Sequence, residues 1–540
     1  VVVPIVLPLV AAAVLLLPAA KRSRVKAMIN IGATLAGLLV ALELARRADA
    51  GGGIAGVYLA SNWEAPFGIV LVADRLSAFM LVLVGIVGLG AALYAEAGWS
   101  RAGVYFHSLF QVALMGLNGA FLTGDLFNLF VFFEVLLAAS YGLQLHGSGV
   151  SRVRTGLHFI AVNLMASLLF LVGLALLYGV MGSLSMADIA DRISSVPTGD
   201  RGLLHAGVAI LSVAFLIKAA IWPLNSWLAP TYTAASAPVA ALFALMTKVG
   251  VYALMRVWTL FFPVDSGPWT LLGSELLLVA GLVTIVVATV GLMGAIHLGR
   301  IASYSLLVSS GTLLAALGMG AASMLAAGLF YLLSATLAVS ALFLLSELVE
   351  RSEGDGQHLF KEVDSELDED TNLDDDETPL VGRTIPISNA LLGLAFISAA
   401  LVVAGLPPLS GFIAKVSLLM GALSISGEGI ATAIRPAGWW IFGLLLLSGL
   451  VATVALSRAG IRYFWSSNVA QLRVKIAEAF SVSALILGCV LLTLFAEPVL
   501  RYTRATAAGL QAPRTYIEGV LSTKPRAGPT RSDVNRPASP

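Results

Sequence analysis

Four ionisable side chains lie deep inside apolar runs: Glu134 in FNLFVFFEVLLAASYG, Lys218 in AFLIKAAIWP, Lys248 in ALFALMTKVGVYALMR and Lys415 in PPLSGFIAKVSLL. Each costs about 2.5–3.5 kcal/mol at the centre of a membrane helix, so such residues are rare unless they work. A lysine near helix ends can snorkel to the interface, and that reading suits Arg256 better than Lys248. Glu134 can pair well with only one of the three lysines. The others need hydrated cavities or an easily released proton, because desolvation disfavours a charged amine. A row of lysines that gain and lose protons reversibly is a proton relay. No substrate-sized polar constellation accompanies them, so the expected cargo is a proton or a small cation.

Composition sets the frame for these four. Of 540 residues, 58% are hydrophobic and 12% are charged, with a mean hydropathy of +0.92. A soluble chain would carry about 25% charge. This is a polytopic membrane protein, and binding of nucleic acid by a basic surface is excluded. The single cysteine, Cys489, rules out an intrachain disulfide, a cysteine-based zinc site and an iron–sulfur cluster, and reads as lipid-facing or packed. The six histidines show no metal-ligand spacing, and no P-loop or GxGxxG unit occurs. No cofactor and no metal are expected, and the chain is expected to be a transporter component rather than an enzyme.

The elements that must hold the four charges are fourteen apolar segments of roughly 20 residues or more. They run over 3–20, 26–45, 69–95, 103–122, 125–145, 156–181, 203–222, 236–261, 271–297, 301–320, 323–349, 387–424, 437–457 and 475–499. The first segment precedes the basic cluster Lys21, Arg22, Arg24 and Lys26, which is the order of a membrane helix and not of a cleaved signal peptide. Valine in first place suggests a processed or truncated start. Segments seven and twelve contain helix breaks, at Pro223 and at Pro407–Pro408. These breaks belong to a repeat: PLNSWLA at 223–229 resembles PLSGFIA at 408–414, and Ala219-Ala220-Ile221 aligns with Ala404-Gly405-Leu406. Broken helices at matching positions of two repeats point to a transporter's ion pathway. The expected organisation is an N-terminal three-helix part over 1–100, a five-helix repeat over 103–261, a second over 271–460, a last helix at 475–499 and an unstructured tail at 500–540. An odd number of helices inverts the second repeat relative to the first.

The loops on the side of Lys21 to Lys26 carry most of the Lys and Arg until the basic tail is added, which brings the two sides near parity. The early loops dominate topology, so that side is expected to be cytoplasmic and both termini outside, in a bacterial inner membrane. Residues 350–383 hold thirteen acids and three bases, without the spacing of a calcium loop, and read as a solvated cytoplasmic connector. Polar residues near segment ends are weaker candidates. Asp125 and Asp74 suit helix caps, and Glu275 is similar. His297 with Arg300 suits an interfacial anchor. Ser303, Tyr304, Ser305, Ser309, Ser310 and Thr312 give segment ten a hydroxyl-rich face that could hold water.

At these residues the chain resembles the antiporter-like subunits shared by Mrp cation/proton antiporters, respiratory complex I and membrane-bound hydrogenases, in particular the MnhD/PhaD line of the Mrp type. The resemblance rests on GDLFNLFVFFEVLLAASYGL at 124–143, AFLIKAAIWPLNSWLAPTY at 214–232, APVAALFALMTKVGVYALMR at 237–256 and GLPPLSGFIAKVSLL at 405–419, and covers about 1–500. It implies an all-α fold of fourteen helices with two inverted five-helix units. It further implies that Glu134 pairs with Lys218, that Lys248 and Lys415 continue the proton path, and that the chain works beside other membrane subunits in a hetero-oligomer exchanging Na⁺ (or K⁺, Li⁺) for H⁺. The alternatives are a proton-pumping subunit of a redox-driven complex and a non-transporting scaffold. There are departures. Ser334 stands where the family often has histidine, and Gly299 precedes Arg300 where two adjacent bases are usual. A water held by Ser334 or Thr336 would have to bridge Lys248 and Lys415, or only the first unit conducts.

Overall fold

The computed structural model describes residues 1–17, 23–263, 273–364, 386–423, 436–464 and 474–525. In chain order the elements are α1 (Val3–Leu16), α2 (Ser23–Ala50), β1 (Ile54–Leu59), β2 (Val70–Asp74), α3 (Arg75–Glu96), α4 (Phe106–Leu122), α5 (Leu126–Gln144), α6 (Val150–Met181), α7 (Met186–Arg192), α8 (Arg201–Lys218), α9 (Leu228–Ala234) and α10 (Ala237–Phe261). There follow α11 (Ser274–Gly294), α12 (Leu298–Gly318), α13 (Ala322–Asp364), α14 (Ile387–Ala404), α15 (Ser410–Leu423), α16 (Pro436–Phe464), α17 (Ile476–Leu494), α18 (Ala496–Gln511) and α19 (Arg514–Leu521). Each of the fourteen apolar segments holds a helix. Among the described residues, 12 helices are long and apolar enough to cross a membrane. The first and fourth segments hold the shorter α1 and α4, and the twelfth divides into α14 and α15.

Burial sorts the helices into a centre and a rim. The apolar stretches of α10 and α13 are buried throughout, and α12 nearly so. Around them α6, α11, α14, α16 and α17 turn Leu, Val, Ile and Phe outward: Leu164, Leu168 and Val172 on α6, Val279, Val286 and Val290 on α11, Leu446 and Leu450 on α16. Apolar side chains facing both inward and outward are what a lipid solvent requires, and the chain is a multi-pass membrane protein. Cys489 is buried among them.

Three features depart from the sequence expectation. Residues 69–74 are not helical. Val70–Asp74 pairs antiparallel with Ile54–Leu59 in a hairpin, and the helix starts only at Arg75, where Asp74 accepts from the Ser77 N–H (2.9 Å) and hydroxyl (2.7 Å). Hydropathy alone cannot separate an apolar β-branched strand from the helix it leads into. The tail is not unstructured from 500: α18 and α19 occupy 496–511 and 514–521, and bury Leu510, Tyr516 and Val520 against the body. Their apolar residues cover one face only, so their average composition looks like that of a linker. Arg256 does not snorkel. It is 3% exposed and forms a 2.7 Å ion pair with Asp74. The helix carrying the acidic stretch, α13, runs on to Asp364, and residues 365–385 lie outside the described part.

Candidate ion pathway

Both discontinuous helices end in the same way. In the first, Ala220 adopts φ +55°, and the Ile221 N–H donates to the Leu216 carbonyl at 3.0 Å. In the second, Gly405 adopts φ +77°, and the Leu406 N–H donates to the Leu401 carbonyl at 2.9 Å. A left-handed residue closed by a bond from five residues later is a Schellman stop. The chain breaks at these residues, ahead of Pro223 and of Pro407–Pro408, and the prolines follow where they cannot continue the helix. An alanine in the left-handed region is unfavourable. It is held here by close packing, because Gly250 of α10 lies against the break. A Cβ at Gly250 would stand 2.5 Å from the Ala219 nitrogen and 2.8 Å from the Lys218 carbonyl carbon. Gly250→Ala should therefore push α10 off the break, destabilise the fold by about 1–3 kcal/mol and displace Lys248. Thermal unfolding of the purified protein against the parent checks this.

A lysine sits at each stop. Lys218 is the last residue of α8, where unpaired carbonyls favour a cation. Its ammonium lies 5.6 Å from the centroid of the Phe133 ring on α5. The neighbouring Glu134 carboxylate accepts a hydrogen bond from the Ser167 hydroxyl of α6. Glu134 and Lys218 interact electrostatically, but among the described residues no ion pair within 4.0 Å joins them. Both are half-buried. In the second half, Lys415 of α15 is 7% exposed, and its Nζ donates to the terminal Ala404 carbonyl of α14 at 2.8 Å.

Lys248 lies between these two stations. It is 0% exposed, and its Nζ donates to the Ser309 hydroxyl of α12 at 2.8 Å. The Tyr331 phenol of α13 faces Ser309 and Thr312. Tyr331 also lines a cavity with Ser305, Ser334, Ser448 and Lys415, large enough for a water molecule. Ser334 shares a 2.8 Å hydrogen bond with Ser410, while Thr336 donates to the Leu332 carbonyl of its own helix. Ser334 thus stands in the gap between Lys248 and Lys415, and Thr336 does not line that cavity.

The remaining candidates lie elsewhere. Asp125 caps α5 by accepting from the Asn128 N–H at 2.8 Å. His297 is exposed at the start of α12, twelve residues before Ser309. Tyr304 packs its ring against Gly291 of α11. Sequence reading passed over Glu347, because it lies close to the acidic stretch. Its carboxylate accepts from Trp99 Nε1 at 2.7 Å and from the Ala237 N–H at 3.1 Å, and so caps α10 from α13. Arg351 and Glu478 pair nearby at 2.9 Å.

Comparison with known proteins places this arrangement. The family model described as NADH:quinone oxidoreductase/Mrp antiporter, TM, matches residues 123–435, which hold Glu134, Lys218, Lys248 and Lys415. The chain belongs to this family. It is 50% identical over 535 residues to the D-type member of a probable K(+)/H(+) antiporter of Rhizobium meliloti (strain 1021), covering 98% of each chain. It is 34% identical over 531 residues to the D-type member of the Na(+)/H(+) antiporter of Alkalihalophilus pseudofirmus, covering 96% of this chain and 99% of the relative. Among solved structures, the Mrp complex from Dietzia sp. DQ12-45-1b contains a chain with a TM-score of 0.81 and 26% identity, with 96% of this chain and 98% of that one covered. Respiratory complex I from Thermus thermophilus contains a chain of the same fold, at a TM-score of 0.74 and 22% identity, covering 95% of this chain and 99% of that one.

Proposed function

We propose that the chain is the MnhD-type component of a multisubunit antiporter that exchanges a monovalent cation for protons, and that Glu134, Lys218, Lys248 and Lys415 carry the proton. The observation that supports this most is the set of lysines at depth: two at the stops of broken helices and one wholly enclosed between them. The relatives that match along the whole chain bear antiporter names, one for K⁺ at 50% identity and one for Na⁺ at 34%. Potassium is therefore the cation to expect first. Other membrane subunits would complete the complex.

In this reading the matching helix stops belong to two five-helix units of inverted orientation. Ser334 and its cavity take the place of a side chain in the relay from Lys248 to Lys415. In the same reading the hairpin, α18 and α19 face outward and the acidic residues 350–383 face the cytoplasm, which the early basic loops support. The test is reconstitution of the purified complex in vesicles holding a pH gradient. Added K⁺ should collapse the gradient, and Na⁺ or Li⁺ should do so less. A gradient that survives all three cations would refute the reading.

A further inference from the structure

A cavity opens on the face that carries the hairpin, between the start of α3, the end of α10 and the helices α18 and α19. Asp74, Arg256, Thr506 and Tyr516 form part of its wall. The Asp74–Arg256 ion pair lies at its base, with the Arg256 guanidinium 4.9 Å from the Tyr516 ring centroid. Arg256 Nε is buried without a hydrogen-bond partner. From this pair a chain of polar atoms leads inward. Asp74 Oδ1 accepts from the Ser77 hydroxyl at 2.7 Å, Ser77 Oγ is 3.4 Å from the Tyr252 hydroxyl, and that hydroxyl donates to the Phe121 carbonyl at 2.7 Å. Arg256 Nη2 also reaches the Tyr252 hydroxyl at 3.4 Å.

The spacing along α10 matters here. Lys248, Tyr252 and Arg256 stand four residues apart and so share one face of the helix, with a rise of about 6 Å per step. The polar chain from the cavity therefore ends on the residue one helical turn along α10 from Lys248. Leu245, Met246, Val249 and Val251 around it are buried and apolar, and the hydroxyl of buried Thr247 donates to the Ala244 carbonyl of its own helix.

We propose that the Tyr252 hydroxyl is the proton link between Lys248 and this cavity, with the Asp74–Arg256 pair as its polar collar. The proposal rests on Lys248 as a proton carrier and adds a second branch to that path. The transfer needs no net ionisation. A proton leaves the Lys248 ammonium through water and lands on the Tyr252 oxygen, and the hydroxyl, turned from the Phe121 carbonyl toward Ser77, passes its own proton to Ser77 Oγ. The Ser77 proton moves to Asp74 Oδ1 and on to cavity water, and rotation of the hydroxyls resets the chain. Between transfers the paired charges of Asp74 and Arg256 cancel, and while Asp74 carries the proton the excess charge rests on Arg256 until cavity water takes it. A file of hydroxyls passes a proton but has no room for a hydrated Na⁺ or K⁺, so this branch is proton-specific.

The test is Tyr252→Phe in the full complex reconstituted in vesicles. The phenylalanine keeps the ring contact with Phe121, now edge-to-face at 4.9 Å between centroids, and removes only the hydroxyl. Turnover per assembled complex should fall about tenfold or more, with the apparent affinity for the cation unchanged. A loss confined to assembly, with turnover per complex within about twofold of the parent, means the hydroxyl is structural and overturns the proposal. Lys248→Met, run beside it, separates the two claims. If Lys248→Met retains antiport, the underlying relay is wrong. If it is inactive while Tyr252→Phe is normal, only the branch is wrong. Should Tyr252→Phe fail to assemble, Ser77→Ala interrupts the same chain, and parent-like turnover there overturns the proposal as well.

Discussion

Replacing Lys248 by methionine should lower antiport by the assembled complex by about 100-fold, the scale on which a positioned proton-transfer group contributes. Methionine is unbranched and fills the lysine's shaft, so the loss would not stem from a cavity. Nor would it stem from misfolding. The change removes an ammonium that is 0% exposed and donates to Ser309. An apolar residue there relieves about 2.5–3.5 kcal/mol of insertion cost. Lys248→Arg is the sharper companion. It keeps the charge and can still reach Ser309, but a guanidinium does not release its proton at physiological pH. A residue that only holds a positive charge tolerates arginine, whereas a proton carrier does not. Both variants should be inactive with normal assembly. Parent-like turnover in Lys248→Arg would show that charge alone matters and would remove Lys248 from the relay.

The fold was legible because lipid imposes one rule on every segment: about 20 apolar residues folded as a helix. All fourteen segments hold helices for that reason. Where hydropathy is silent, the reading slipped. The strand Val70–Asp74 is as apolar as the helix after it, and α18 and α19 carry their apolar residues on one face only. Glu134 and the three lysines stood out because each interrupts an apolar run. Asp74 and Arg256 did not, since each lies near a segment end, where a cap or an interfacial anchor is the commoner explanation. Only the tertiary fold brings them together, 182 residues apart in sequence. The same holds for Glu134 and Lys218. A sequence can suggest that two charges meet, but it cannot place a phenyl ring beside the amine and a serine hydroxyl on the carboxylate. The equivalence of the two helix stops was visible as a repeat, whereas Gly250, which lets α10 close on the first of them, carried no signal beyond being a glycine.

Arg256→Met should be the most destabilising of these substitutions, by about 3–5 kcal/mol, because it leaves the Asp74 carboxylate buried without its cation. Adding Asp74→Asn should recover part of that loss, since two neutral groups of similar size remove the uncompensated charge. Thermal unfolding of the single and double variants measures the coupling as a double-mutant cycle. The pH dependence has a definite sign. In the parent, burial pushes the Asp74 carboxyl up, but the Arg256 guanidinium and the Ser77 N–H and hydroxyl outweigh it and hold the group below its ordinary value of 3.8. The unfolded chain then binds more protons than the folded one around that pH. The pair's contribution is present above the ordinary value and is lost as pH falls through the lowered one. Without Arg256 the balance reverses, because burial remains and its strongest opponent is gone. The folded variant now binds the extra proton, so it gains stability on acidification while the parent does not. The gap between Arg256→Met and the parent should narrow as pH falls from neutral toward 5. A gap independent of pH would place the cost in lost packing of the guanidinium against Tyr516 and Tyr252, and not in the stranded charge.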